Sequence, residues 1–219
     1  MIYDSLIFDL DGTLWNAGAL SAAAWNTGLL KLKIPRTVSI AQIASVAGKP
    51  YRDCVTTLLP DIEPSRLEEV VSTLNSEERA EFDRRGGTLY PGVSNGLAEL
   101  ARTFRLFIVS NCQDWYLEAF WKHSGLRSHF FDSECHGRSP LPKGENIRLV
   151  IERNHLANPA YIGDTVSDQQ AAALASVDFF HVAYGFGTAE TNRSFGSFSD
   201  LKDQLIFKHF QPWPPMRKG

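Results

Sequence analysis

The chain has 219 residues, 25 of them Asp or Glu and 22 Lys or Arg, for a formal net charge of −3 with His neutral. That balance excludes nucleic-acid affinity resting on a basic face, and 43% hydrophobic with 21% charged residues excludes bulk disorder. With no apolar run of about 18 residues, no secretory leader pattern and three scattered cysteines (Cys54, Cys112, Cys135), a cytoplasmic protein without a membrane partner is expected.

Ser5-Leu-Ile-Phe-Asp9 is a short apolar run stopped by an acid, the pattern of a strand buried in a parallel sheet. From Trp15 to Gly87 no strand pattern occurs and helical segments follow one another: Ala19 to Leu32, Ser39 to Val46, and Tyr51 to Leu59 closed by Pro60. Ser65-Arg-Leu-Glu68 matches a capping box that opens a helix to Arg85. The run from Glu77-Glu78-Arg79 through Arg85 reads as a solvated face of that helix. Gly86-Gly87 gives a flexible return, after which Asn95 to Thr103 carries Leu97, Leu100 and Ala101 at helical spacing.

Arg105 to Ser110 is the second apolar run. Tyr116, Phe120, Trp121 and Ser124 recur at helical spacing before Gly125, a C-terminal cap. Lys143 to Asn154 does the same with Ile147, Val150 and Ile151, and Pro159 to Asp164 and Phe179 to Ala183 supply two more strands. Trp213 to Gly219 reads as a terminal tail. Strands alternating with helices predict βαβ units, hence an α/β fold with a parallel sheet. Residues 1–14 and 88–219 form its core, and 15–87 a helical insertion.

The chemistry-bearing residues stand just past the carboxyl ends of the strands: Asp9 and Asp11, Ser110 and Asn111, Asp164 and Asp168. Open α/β sheets bind ligands along that edge, so residues far apart in sequence are expected in one pocket. Asp9-Leu-Asp-Gly12 does not open an EF-hand loop, because the fifth position is Thr13 and the sixth, which must be Gly for the sharp turn, is Leu14. Carboxylates gathered in one crevice repel one another. A hard divalent cation relieves this, and an all-oxygen set with few protein ligands suits Mg²⁺. With Lys143 such a cation would make the pocket attractive to phosphate, and a carboxylate can then serve as the nucleophile, forming an aspartyl phosphate.

These residues resemble the four signature motifs of the haloacid dehalogenase-like (HAD) hydrolase superfamily. Asp9-Leu-Asp-Gly-Thr13 matches the first, Ser110-Asn111 the second, Lys143 the third, and Gly163-Asp-Thr-Val-Ser-Asp168 the fourth. The insertion is similar to the helical cap of the phosphoglycolate-phosphatase-like and β-phosphoglucomutase-like branch. The resemblance implies a Rossmann-like doubly wound core with a cap domain over 15–87. It implies Asp9 as nucleophile and metal ligand, and Asp11 as general acid/base whose backbone carbonyl also faces the metal. Ser110 would bind a phosphoryl oxygen beside Asn111, and Lys143 would neutralise phosphoryl charge and position Asp9. Asp164 would bind Mg²⁺, Asp168 would hold its water shell or Lys143, and Thr13 would shape the phosphate loop. Lys49 or Arg52, on the cap loop, either reaches a second anionic group of the substrate or is simply solvated.

The chain departs from the family pattern in having Pro142-Lys143-Gly144 where relatives often carry Lys-Pro, and Trp15-Asn16-Ala17 where they often show Val-Asp-Ser. The implied activity is a Mg²⁺-dependent phosphatase acting on a small phosphorylated metabolite. A phosphomutase of sugar phosphates is the alternative. Asp11 disfavours a dehalogenase, and intact motifs disfavour a non-catalytic regulator.

Overall fold

In the computed structural model, which describes residues 3–209, the first apolar run is β1 (Ser5–Phe8), buried along its whole length. The chain then leaves the sheet through β2 (Trp15–Asn16) and passes α1 (Gly18–Lys31), α2 (Ile40–Ser45), α3 (Tyr51–Leu58) and α4 (Leu67–Arg85). It returns through β3 (Thr88–Leu89), which pairs antiparallel with β2. The expectation of no strand in 15–87 is therefore corrected at Trp15–Asn16. A two-residue ladder is too short to leave a periodic signal.

The remainder alternates strand and helix, with β5, α8, β8 and α9 added to the elements predicted: α5 (Val93–Leu100), β4 (Arg105–Ser110), α6 (Asp114–Ser124), β5 (Phe130–Cys135), α7 (Lys143–Asn154), β6 (Pro159–Gly163), α8 (Val166–Leu174), β7 (Asp178–Val182), β8 (Ser194–Phe195) and α9 (Phe198–His209). The six-stranded sheet has the order β5-β4-β1-β6-β7-β8, with parallel pairing at every step. It is a Rossmann-like doubly wound sheet with helices on both faces. The expected tail, Trp213 to Gly219, lies outside the described residues. Among those residues no helix is long and apolar enough to cross a membrane.

Strand alternation explains the two faces. Leu6, Phe8, Leu106, Ile108 and Ile162 share one apolar cluster with Leu97 of α5, Phe120 of α6 and Leu201 of α9. Ile7, Phe107, Val109 and Tyr161 point the other way, onto Ile147 and Val150 of α7 and Ala172 of α8. Being buried on both sides, these strands read as continuous apolar runs.

Helices α1–α4 enclose an apolar cluster of their own, including Trp25, Leu29, Val55, Val70 and Leu74. Gly28 is where α1 and α4 meet: a Cβ there would lie 2.8 Å from Leu74 Cδ2. The insertion also docks on the sheet layer. Phe82 of α4 belongs to the sheet-side core, its ring 4.7 Å from Tyr116 and 5.8 Å from Trp15. Ser65 does not cap α4. Pro64 starts a short 3₁₀ turn over Pro64–Arg66, and Arg66 then flanks the helix without a side-chain cap. Capping boxes do form at Ser39 with Gln42 and at Thr165 with Asp168.

Candidate active site

Phe8 pairs with Ile108 on one side and Ile162 on the other. Asp9, Ser110 and Asp164 therefore emerge side by side at the carboxyl edge. The chain order places β4 and β6 on opposite flanks of β1, so this edge is a topological switch point, where doubly wound sheets open a crevice.

Lys143 starts α7 and is buried, and its Nζ donates to Asp9 Oδ1 at 2.8 Å and to Asp168 Oδ1 at 2.7 Å. Burial alone would strip its proton, but the charges of Asp168 and Asp9 outweigh that and hold its pKa well above the ordinary lysine value. Asp168 is fixed from its other oxygen: Oδ2 accepts from Thr165 N at 3.0 Å and Thr165 Oγ1 at 2.7 Å. The capping box at the start of α8 thus sets Asp168, which sets Lys143, which sets Asp9. With both oxygens engaged, Asp168 is placed to hold Lys143.

Asp164 sits in a cradle made by two glycines. A Cβ on Gly12 would stand 2.3 Å from Asp164 Oδ2, and one on Gly185 2.3 Å from Asp164 Cβ. Gly12 also has φ +88°, a conformation that other residues resist. The Phe186 amide donates to Asp164 Oδ2 at 2.7 Å, and Thr13 Oγ1 lies 3.5 Å from Oδ1.

Oxygens of Asp9, Asp164 and Asp168 all come within 4.8 Å of one another. Burial, then the charges of Asp9 and Asp168, push the Asp164 carboxyl up to about 8. Burial likewise raises Asp9 to about 6 in spite of Lys143. Buried carboxylates in mutual repulsion, all hard oxygen donors, fit a divalent cation. Among the described residues Asp9 Oδ2 has no side-chain donor, and Asp164 Oδ1 is met only by Thr13 Oγ1 at 3.5 Å, so these two acids are the more open to it.

The carboxylate of Asp11 is not part of that trio. It turns to the cleft beside Tyr116, with Oδ1 sealed from solvent and lacking a protein partner. Burial pushes its pKa up to about 7, with the charges of Asp9 and Glu78 adding to the rise. Ser110 and Asn111 are buried on the wall of the same cleft, which lies between the sheet edge and the helical insertion. Asn111 Nδ2 donates to the Gly48 carbonyl at 2.7 Å, so this side chain spans from sheet to insertion.

The remaining sequence candidates are less central. Thr13 is buried against Asp164 and does not line the cleft. Lys49 lines it, but its Nζ is turned out to Thr57 Oγ1 at 3.3 Å. Arg52 pairs with Glu68 on the exposed side of α3 and does not reach the cleft.

One cleft residue was not anticipated. Glu78 is buried, accepts a 2.9 Å bond from Trp25 Nε1, and lines the same cleft as Asp11. The expectation of a solvated face fails here because α4 buries Val70, Leu74, Glu78 and Phe82, four residues apart on one stripe. That periodicity was the available signal, masked by the charged residues around it.

A family model described as haloacid dehalogenase-like hydrolase matches residues 6–182. A phosphoglycolate phosphatase from Psychrobacter arcticus is 30% identical over 223 residues, covering 92% of this chain and 95% of that protein. A haloacid dehalogenase-like family hydrolase from Streptococcus pneumoniae superposes with TM-score 0.82 at 19% identity, covering 95% of this chain and 99% of that one. CbbY from Rhodobacter sphaeroides, solved with xylulose-(1,5)bisphosphate, gives TM-score 0.77 at 18% identity, over 92% of this chain and 96% of its own.

Proposed function

The chain belongs to the haloacid dehalogenase-like hydrolase family, and from that premise we propose that it is a Mg²⁺-dependent phosphatase of a small organic phosphate, working through an aspartyl phosphate. The carrying observation is Lys143 held between Asp9 and Asp168 at the switch point, beside Asp164, with Asp9 itself at the floor of a cleft. The relative's printed name, phosphoglycolate phosphatase, supports the reaction class. We place the cap domain at 15–87, as the roof over that cleft.

Lys143 engages Asp9 Oδ1, which leaves Oδ2 to attack phosphorus as the ester oxygen departs. Asp11 gives its proton to that oxygen. It then takes a proton from water, which attacks the acyl phosphate and releases inorganic phosphate and Asp9. A carboxyl pushed up to about 7 suits both steps near neutral pH. Ser110 and the Lys143 ammonium face the phosphoryl oxygens and balance their growing charge. A bound Mg²⁺, held by Asp9, Asp164 and the Asp11 backbone carbonyl, would supply Lewis-acid stabilisation there. The cleft roof excludes bulk water.

The test is turnover of p-nitrophenyl phosphate. Wild type with Mg²⁺ is expected to release nitrophenol, and Asp9→Asn or added EDTA to reduce release to background. Undiminished release by Asp9→Asn overturns the assignment.

A further inference from the structure

The cleft has two ends of different chemistry. The sheet end carries Asp9, Asp11 and Ser110, and the far end, roofed by α1, α3 and α4, carries Ser21, Tyr51 and Glu78. Glu78 is 4% exposed. Burial pushes its carboxyl above the ordinary value, against the opposing pull of Ser21, Trp25 and Tyr51. Among the described residues it has no Lys or Arg partner, and the one cation lining the cleft, Lys49, is turned out to Thr57. A buried carboxyl without a cation is costly.

The neighbouring polar atoms point the same way. Asn111 Oδ1 is buried and has no protein partner among the described residues, whereas the Tyr116 and Tyr51 hydroxyls face Asp11 and Glu78. The Glu78 carboxylate and Asn111 Oδ1 accept hydrogen bonds. The cleft therefore asks its occupant for donors. A ligand ammonium or hydroxyl meets that demand, whereas a ligand carboxylate or second phosphate would stand against the Glu78 carboxylate with like charge.

We propose that Glu78 selects the substrate: the phosphate ester taken here carries an ammonium or hydroxyl groups at the end away from phosphorus, and no second anionic group. Glu78 is then a specificity residue at the far end of the cleft, and phosphoglycolate, with its carboxylate, is a poor substrate. The inference rests on the phosphatase reading above and narrows it.

The experiment compares kcat/KM for phosphoethanolamine, glycerol 3-phosphate and phosphoglycolate in wild type and Glu78→Gln, with p-nitrophenyl phosphate as a separate check on wild type. Wild type is expected to favour phosphoethanolamine or glycerol 3-phosphate over phosphoglycolate by about 10-fold or more. Whichever leads identifies the donor as ammonium or hydroxyl. Glu78→Gln should shift the phosphoethanolamine-to-phosphoglycolate ratio toward phosphoglycolate by about 10-fold. Taken within one preparation, that ratio does not depend on its active fraction.

Equal or better turnover of phosphoglycolate by wild type, or a ratio left within about 2-fold by Glu78→Gln, overturns the inference while the phosphatase reading stands. No hydrolysis of p-nitrophenyl phosphate by wild type overturns both. The wild-type ratios decide the substrate class even should the variant not fold.

Discussion

Asn111 and Gly48 are joined by a 2.7 Å hydrogen bond from the Asn111 side-chain amide to the Gly48 carbonyl, so the sheet edge holds the α2–α3 loop of the insertion directly. Gly48 has φ +81° and approaches Thr165 as well; a Cβ there would lie 3.4 Å from Thr165 Oγ1. The loop thus closes over both the β4 and β6 sides of the cleft.

Asn111→Ala should loosen that closure. One buried hydrogen bond contributes about 1 kcal/mol, so amide exchange over residues 46–50 should quicken roughly 5-fold, with a higher KM for aryl phosphate. Exchange unchanged by the substitution would show that the bond does not hold the loop.

Divalent metal should alter the pH dependence of stability. Asp164, Asp11 and Asp9 have folded pKa values of about 8, 7 and 6, all above the carboxylate value of 3.8. Between those limits the metal-free folded state binds more protons than the unfolded chain, so its stability falls as pH rises from about 4 to about 8. Saturating Mg²⁺ should flatten that fall. At a concentration of about 100 Kd it should stabilise by about 2.7 kcal/mol, or raise Tm by roughly 5–10 °C. Asp164→Asn should remove most of the shift, as read by calorimetry with and without metal.

Lys143→Met should be worse than loss of a surface charge. It strands Asp9 and Asp168, both buried, and removing one partner of a buried pair costs about 3–5 kcal/mol. Residual activity should drop about 10²–10³-fold. Urea unfolding at pH 7 is the check, and a stability within about 1 kcal/mol of wild type would mean that the carboxylates shed their charge or found other donors.

Phe82→Ala should cost about 3–5 kcal/mol, because the ring is fully buried among Trp15, Trp115 and Tyr116. Tryptophan emission should redden in the folded state as water reaches that cluster. An unchanged spectrum with undiminished stability would place the insertion's anchorage elsewhere, for instance at Trp115 Nε1 to Asn75 or Lys122 to the Asp83 carbonyl.

Strands β1, β4, β6 and β7 were legible because both of their faces are buried, leaving unbroken apolar runs. β5 was not, because it is an edge strand whose Asp132 and Glu134 pair with Arg153 and break the run. Helix α7 announced itself through Ile147, Val150 and Ile151, whereas α9 buries only Phe198, Leu201 and Leu205 among polar residues. At the site, the strand ends alone bring Asp9, Ser110 and Asp164 together. The partners of Asp168 and the bridge from Asn111 to Gly48 depend on side-chain geometry, which residue order does not carry. Glu78 lies between these cases, since its spacing from Leu74 and Phe82 was readable and its charge concealed it.

The ladder of Trp15–Asn16 with Thr88–Leu89 has a further consequence. It brings the departure and return of the insertion to neighbouring-strand separation, about 4.8 Å. The sheet therefore meets the same two chain ends whatever is threaded between them, and a longer or shorter insert changes the closure entropy only slowly. One catalytic floor can accept many different roofs without refolding, so new substrate preferences can arise by exchange of a single contiguous segment.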